Sequence, residues 1–83
     1  MSRKDKLLAR LGSRPSDFTW DELVTALRHC GYEALHGSGS RRRFFNATAG
    51  RVICLHEPHP GRILKAYQVR EIVEHLKQNG YLP

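Results

Sequence analysis

Acidic residues are scarce in this chain. Eight Asp and Glu stand against fourteen Lys and Arg, a formal net charge of +6 at pH 7. That balance says nothing about fold, but it favours nucleic acid, anionic lipid or an acidic protein as partner. Long apolar runs are also missing. No stretch approaches the ~20 residues of a membrane span, and Met1-Ser2-Arg3-Lys4-Asp5-Lys6 leads into no apolar signal-peptide core. The expectation is a cytoplasmic protein with no membrane partner. There are only two cysteines, Cys30 and Cys54, and neither belongs to a CxxC pair. They read as buried, reduced thiols, with no metal and no cofactor expected. Repeats and low-complexity tracts are absent apart from one Gly-Ser turn. Eighty-three residues hold one core and no second, and an apolar content of 40% fits a globular domain rather than a disordered tail.

The elements follow from pattern. Thr19-Trp20-Asp21-Glu22 has the form of a capping box. Trp20, Leu23, Val24 and Leu27 then recur at helical spacing, and Gly31 stands where a helix C-terminus favours glycine. Tyr32–His36 and Arg41–Phe45 read as strands around the turn Gly37-Ser38-Gly39-Ser40. Asn46–Gly50 reads as a five-residue hairpin loop, and Arg51–His56 as an apolar, β-branched third strand. Pro58 and Pro60 end that strand. A last helix is expected from about Ala66 to Asn79, with Val69, Ile72, Val73 and Leu76 as its stripe and Gly80 as its stop. Residues 1–11 can form a short basic helix, but for so short a segment a frayed tail is the expectation. Residues 1–18 are thus set apart as a basic N-terminal segment, a short helix or disordered, and 19–83 as the domain. The fold class is α+β: helix, three antiparallel strands, helix. Both helical stripes need an apolar partner, so both helices should pack on one face of the sheet.

The chemistry gathers around the Gly-Ser turn and the Arg41-Arg42-Arg43-Phe44-Phe45 run behind it. Glycines let a backbone come close, arginines grip phosphate in a bidentate fork, and aromatics stack or anchor. Period two puts Arg41, Arg43 and Phe45 on one face of the strand, and Arg42 and Phe44 on the other, with Phe44 assigned to the core. One sheet face is left for solvent or a ligand. Arg51, Arg62 and Lys65 could extend a phosphate path, although each taken singly reads as a solvated charge.

Several motifs together resemble the HicA family, the toxin half of a bacterial toxin–antitoxin pair. They are the helix ending at Gly31-Tyr32, Gly39-Ser40 followed by Phe44, Gly50-Arg51 before an apolar strand, Pro58-His59, and Leu64-Lys65 before the last helix. The resemblance runs from roughly Thr19 to Leu82. It implies a fold like the double-stranded-RNA-binding domain, binding and cleavage of messenger RNA, and neutralisation by a HicB-type antitoxin. With RNA as the ligand, the Gly-Ser turn and the basic run behind it make Gly39, Ser40, Arg41, Arg42, Arg43 and Lys65 the candidate RNA-binding residues.

One departure matters more than the matches. The family's catalytic histidine follows the Gly-Ser, and here that position is Arg41. RNA cleavage without a metal needs a base for the 2′-hydroxyl proton, and histidine titrates in the right range. Arginine stays protonated; it can hold phosphate and stabilise charge building there, but it cannot take that proton. His59 is the candidate base or acid, held between two prolines where the family often carries a histidine. His56 reads as a strand-end residue, His36 lies close enough to the turn to reach the same groove, and His75 reads as surface. The expected function is an RNA-binding toxin domain whose metal-independent endoribonuclease activity is weakened or rerouted by Arg41. The alternative is a non-catalytic RNA-binding module or an antitoxin-binding protein. A DNA-binding helix-turn-helix is disfavoured, because the sheet needs both helical stripes.

Overall fold

The computed structural model describes residues 3–36, 41–58 and 61–82. Its elements are α1 (Arg3–Gly12), α2 (Trp20–His29), β1 (Glu33–His36), β2 (Arg41–Asn46), β3 (Arg51–His56) and α3 (Ala66–Gln78). The strands form one antiparallel sheet in the order β1-β2-β3. Phe44, Ile53 and Leu55 turn inward and are buried with the stripes of the helices, while Arg43, Phe45, Val52 and Cys54 turn outward and are exposed. The α+β architecture, with its helices on one face of the sheet, is the one expected.

Local chemistry explains where α2 and α3 begin and end. The Thr19 hydroxyl accepts from the Glu22 N–H at 3.1 Å, and the Glu22 carboxylate accepts from the Thr19 N–H at 3.0 Å, which completes the capping box. Both helices stop in the same way. Gly31 and Gly80 adopt φ of +89° and +81°, a region that disfavours any side chain. The N–H of the next residue then reaches back five positions: Tyr32 to the Leu27 carbonyl at 2.9 Å, and Tyr81 to the Leu76 carbonyl at 2.8 Å. This is the Schellman arrangement. It has a tertiary consequence, because the two tyrosines that follow the two glycines meet edge to face, 6.0 Å between ring centroids.

The starts of α2 and α3 are tied together as well. Trp20 N–H donates to the Arg62 carbonyl at 2.7 Å, and Leu64 N–H to the Phe18 carbonyl at 2.9 Å. Trp20 then lies against Phe44 of β2, ring centroids 5.6 Å apart. α2 and α3 are therefore joined to each other at both ends.

Four expectations need correction. The opening segment is not a frayed tail. It is α1, with Leu8 and Leu11 buried in the core, and Arg10 bridging Asp17 at 2.7 Å and Glu22 at 2.8 Å. A short helix that is marginal alone is held by packing its apolar face. Asn46 is not loop: it ends β2, pairs with Arg51 and is buried. Its side-chain amide donates to the Cys30 carbonyl at 3.0 Å and the Tyr81 hydroxyl at 2.7 Å, while its oxygen accepts from Ala49 N–H at 3.0 Å. Cys30 is buried as expected, but Cys54 is exposed on the outer face. His75 is not a surface residue. It is half-buried, and its Nε2 lies 2.7 Å from the Tyr32 hydroxyl.

Candidate nucleic-acid and partner interface

The strand register assembles the open face of the sheet. Leu35, Arg43 and Cys54 form one cross-strand row, and Glu33, Phe45 and Val52 form the next. At the far end of β2, position 41 is paired with His56. Val52 is 50% exposed, Leu35 45% and Phe45 37%. The face thus joins an exposed cation, Arg43, to a patch of apolar side chains. His56 is exposed at the edge of the same face.

Gln68 holds the end of this face against α3. It is buried, and its amide nitrogen donates to the His56 carbonyl at 2.9 Å. Its amide oxygen accepts from the Lys65 N–H at 3.0 Å. One side chain therefore sets the end of β3 and the first turn of α3 at a fixed spacing. Lys65 is exposed at the N-cap of a helix whose first turn has no acid. Nothing in the sequence marked Gln68; only its place opposite the end of β3 gives it this role.

The expected site residues divide. Arg42 projects to the helix side, half-buried, with Glu57 3.4 Å away. It does not share a face with Arg43. Arg62 pairs with Asp21 at the start of α2. Arg43 and Arg51 are exposed. Gly39, Ser40 and His59 lie outside the described residues, as do the side chains of His36 and Arg41. Among the described residues, no three of His, Cys, Asp or Glu gather where they could hold a metal ion. No helix there is long and apolar enough to cross a membrane.

The shifted titrating groups lie away from the open face, in the joint between the helices. Burial, and secondarily the nearby Arg51 charge, pushes the His75 imidazole below its usual value. Burial, followed by Tyr81 and Cys30, pushes the Tyr32 hydroxyl up. A neutral imidazole against a neutral phenol is a structural contact, so His75 belongs to the scaffold.

A small basic α+β domain with one sheet face closed by helices and the other open is thus defined. The family model described as HicA toxin of bacterial toxin-antitoxin matches residues 20–81. The chain belongs to the HicA toxin family and is a toxin domain of that toxin–antitoxin class. No curated protein and no solved structure matches it. The matched span begins with α2, and α1 lies before it.

Proposed function

We propose that this toxin binds RNA at the Gly39–Arg43 end of β2, that Arg41 weakens or reroutes its cleavage of messenger RNA, and that a HicB-type antitoxin neutralises it. The observation that supports this most is the pairing of Arg41 with His56 across β2 and β3. Directly paired residues on antiparallel strands hold their Cβ atoms ~5 Å apart. The position that carries the family's histidine thus has a histidine as its neighbour, on the adjacent strand. Arg41 and Lys65 hold the phosphate in this reading. The 2′-hydroxyl proton passes to a neutral imidazole as the 2′-oxygen attacks phosphorus. The departing 5′-oxygen takes a proton from an imidazolium or from water. His59 remains the candidate for base or acid, and the strand register adds His56 beside it. Of the proposed RNA-binding residues, Arg43 and Lys65 should carry more of the grip than Arg42, whose charge is offset by Glu57.

The test is incubation of a labelled single-stranded RNA, without metal, with the native chain and with Arg41→His, His56→Ala and His59→Ala. Cutting by the native chain that either alanine variant abolishes supports a rerouted site. Cutting by Arg41→His alone means that the site survives and the native role has moved to binding. If no variant cuts or shifts the RNA, the RNA reading fails.

A second reading, a non-catalytic RNA-binding or antitoxin-binding protein, is favoured by the exposed Leu35, Phe45 and Val52 beside Arg43. Salt separates the two kinds of grip. Binding through about six phosphates falls on the order of 10³-fold between 50 and 200 mM salt, whereas an apolar protein contact responds weakly.

A further inference from the structure

On the side of the sheet opposite Arg43, helix α2 and strand β1 leave a trough of about 630 Å3. Trp20, Val24 and Phe44 form its apolar floor, and Ala34 of β1 lies along its wall. This is within the size range of ligand sites. Its floor is turned away from the RNA face, because the alternation of β2 sends Phe44 to one side of the sheet and Arg43 and Phe45 to the other, while Glu33 and Leu35, in register with Phe45 and Arg43, border it at the β1 edge.

Three features bear on what fits there. First, β1 is an edge strand: among the described residues it pairs with β2 alone. An edge of this kind is a template for one more strand. Second, the inward residue of β1 at the trough is Ala34, small and exposed, so a side chain from an added strand can reach over it toward Trp20. Third, the charged groups at the trough are of both signs, with Arg28 and Arg42 beside Glu57, which lies 3.4 Å from Arg42, and Glu33 at the β1 edge. Charges of both signs around an apolar floor suit a polypeptide with mixed side chains better than a polyanion. The chain as a whole carries +6, which opposes docking of a second copy and attracts an acidic protein.

We propose that the trough and the β1 edge dock an extended, alternately apolar segment of a net-acidic partner protein. The segment adds a fourth strand beside β1 and sets one apolar side chain over Trp20. This contact does not depend on whether RNA is bound or cut on the other face.

Trp20 is the sole tryptophan, so its fluorescence reports on the trough directly. The probe is a short capped peptide of alternating glutamate and valine. The control is the same peptide with proline at its centre, which cannot complete a strand ladder. The expected result is a saturable shift of Trp20 emission by the first peptide and at least tenfold weaker binding of the control. Ala34→Glu, at an exposed position, should weaken binding at least tenfold, while Val52→Glu on the opposite face should leave it within about twofold. The proposal is overturned by the absence of a saturable shift, by equal binding of the proline control, or by loss in Val52→Glu with retention in Ala34→Glu. It is also overturned if an RNA oligonucleotide, or self-association of the chain, produces the response that Ala34→Glu removes. None of these failures touches the RNA reading, which is scored by the cleavage and salt assays.

Discussion

Asn46→Ala tests the joint that fixes the strands to both helix ends. Asn46 is 1% exposed, and every polar atom of its side chain is used. One amide hydrogen satisfies the Cys30 carbonyl at the end of α2, the other meets Tyr81 after α3, and its oxygen closes the Ala47–Gly50 turn through Ala49. A net hydrogen bond contributes about 1 kcal/mol, and a buried group left without a partner costs ~1–3 kcal/mol. The Ala49 N–H is at an exposed residue and can find water, whereas the Cys30 carbonyl sits at a buried one. The balance is a loss of roughly 2–4 kcal/mol once the vacated volume is included. A domain of this length has on the order of 4–12 kcal/mol in total. Since 1 kcal/mol moves the midpoint of so small a domain by ~4–8 °C, the Tm should fall by roughly 10–25 °C, read by circular dichroism. Asn46→Asp sharpens the experiment. It keeps the shape but points a carboxylate at the Cys30 carbonyl, so its deficit should be large at pH 7 and shrink as acid protonates the carboxyl. A loss below about 1 kcal/mol in Asn46→Ala, or a pH-independent deficit in Asn46→Asp, would refute the reasoning.

Leu11→Ala should cost about 2–5 kcal/mol in a urea titration, because Leu11 is fully buried; a near-neutral result would return α1 to the status of a tail. His75 supplies a pH dependence. Its folded-state pKa is held below the unfolded value of about 6.5 by burial and then Arg51. The unfolded chain therefore takes up this proton first. The stability is complete above the unfolded value, falls as pH drops below it, and levels off below the folded value. His75→Gln should flatten that part of the stability–pH curve, and an unchanged slope would mean that the decline belongs to other groups.

The fold was legible where its determinants are local. The capping box at Thr19, the glycines at 31 and 80 and the period-two arrangement of Phe44 each act within a few residues, and each stands where the pattern put it. What was not legible depends on a partner remote in sequence. α1 has too few residues to be helical alone, and it forms because Leu8 and Leu11 meet a core built from later residues. Asn46 carries turn chemistry, and only the extension of β2 by one residue places it on the inward face with Phe44. His75 lies on α3, but its fate was decided 43 positions away, at Tyr32.

The candidate site shows the same division. Three consecutive arginines suggest one basic patch, and a coil or a helix end could present them as one. A strand cannot, because alternation sends neighbours to opposite faces. The register therefore separates Arg42, drawn to Glu57 on the helix side, from Arg43 on the open face. It also brings to Arg41 a neighbour fifteen residues away, His56, that local sequence gave no reason to prefer. If this toxin cleaves RNA, the group that takes the proton has to be sought by strand register as well as along the chain. The comparison of His56→Ala with His59→Ala is accordingly a comparison between those two kinds of neighbour. Loss of cutting in His56→Ala alone would identify the cross-strand neighbour, and loss in His59→Ala alone would identify the proline loop.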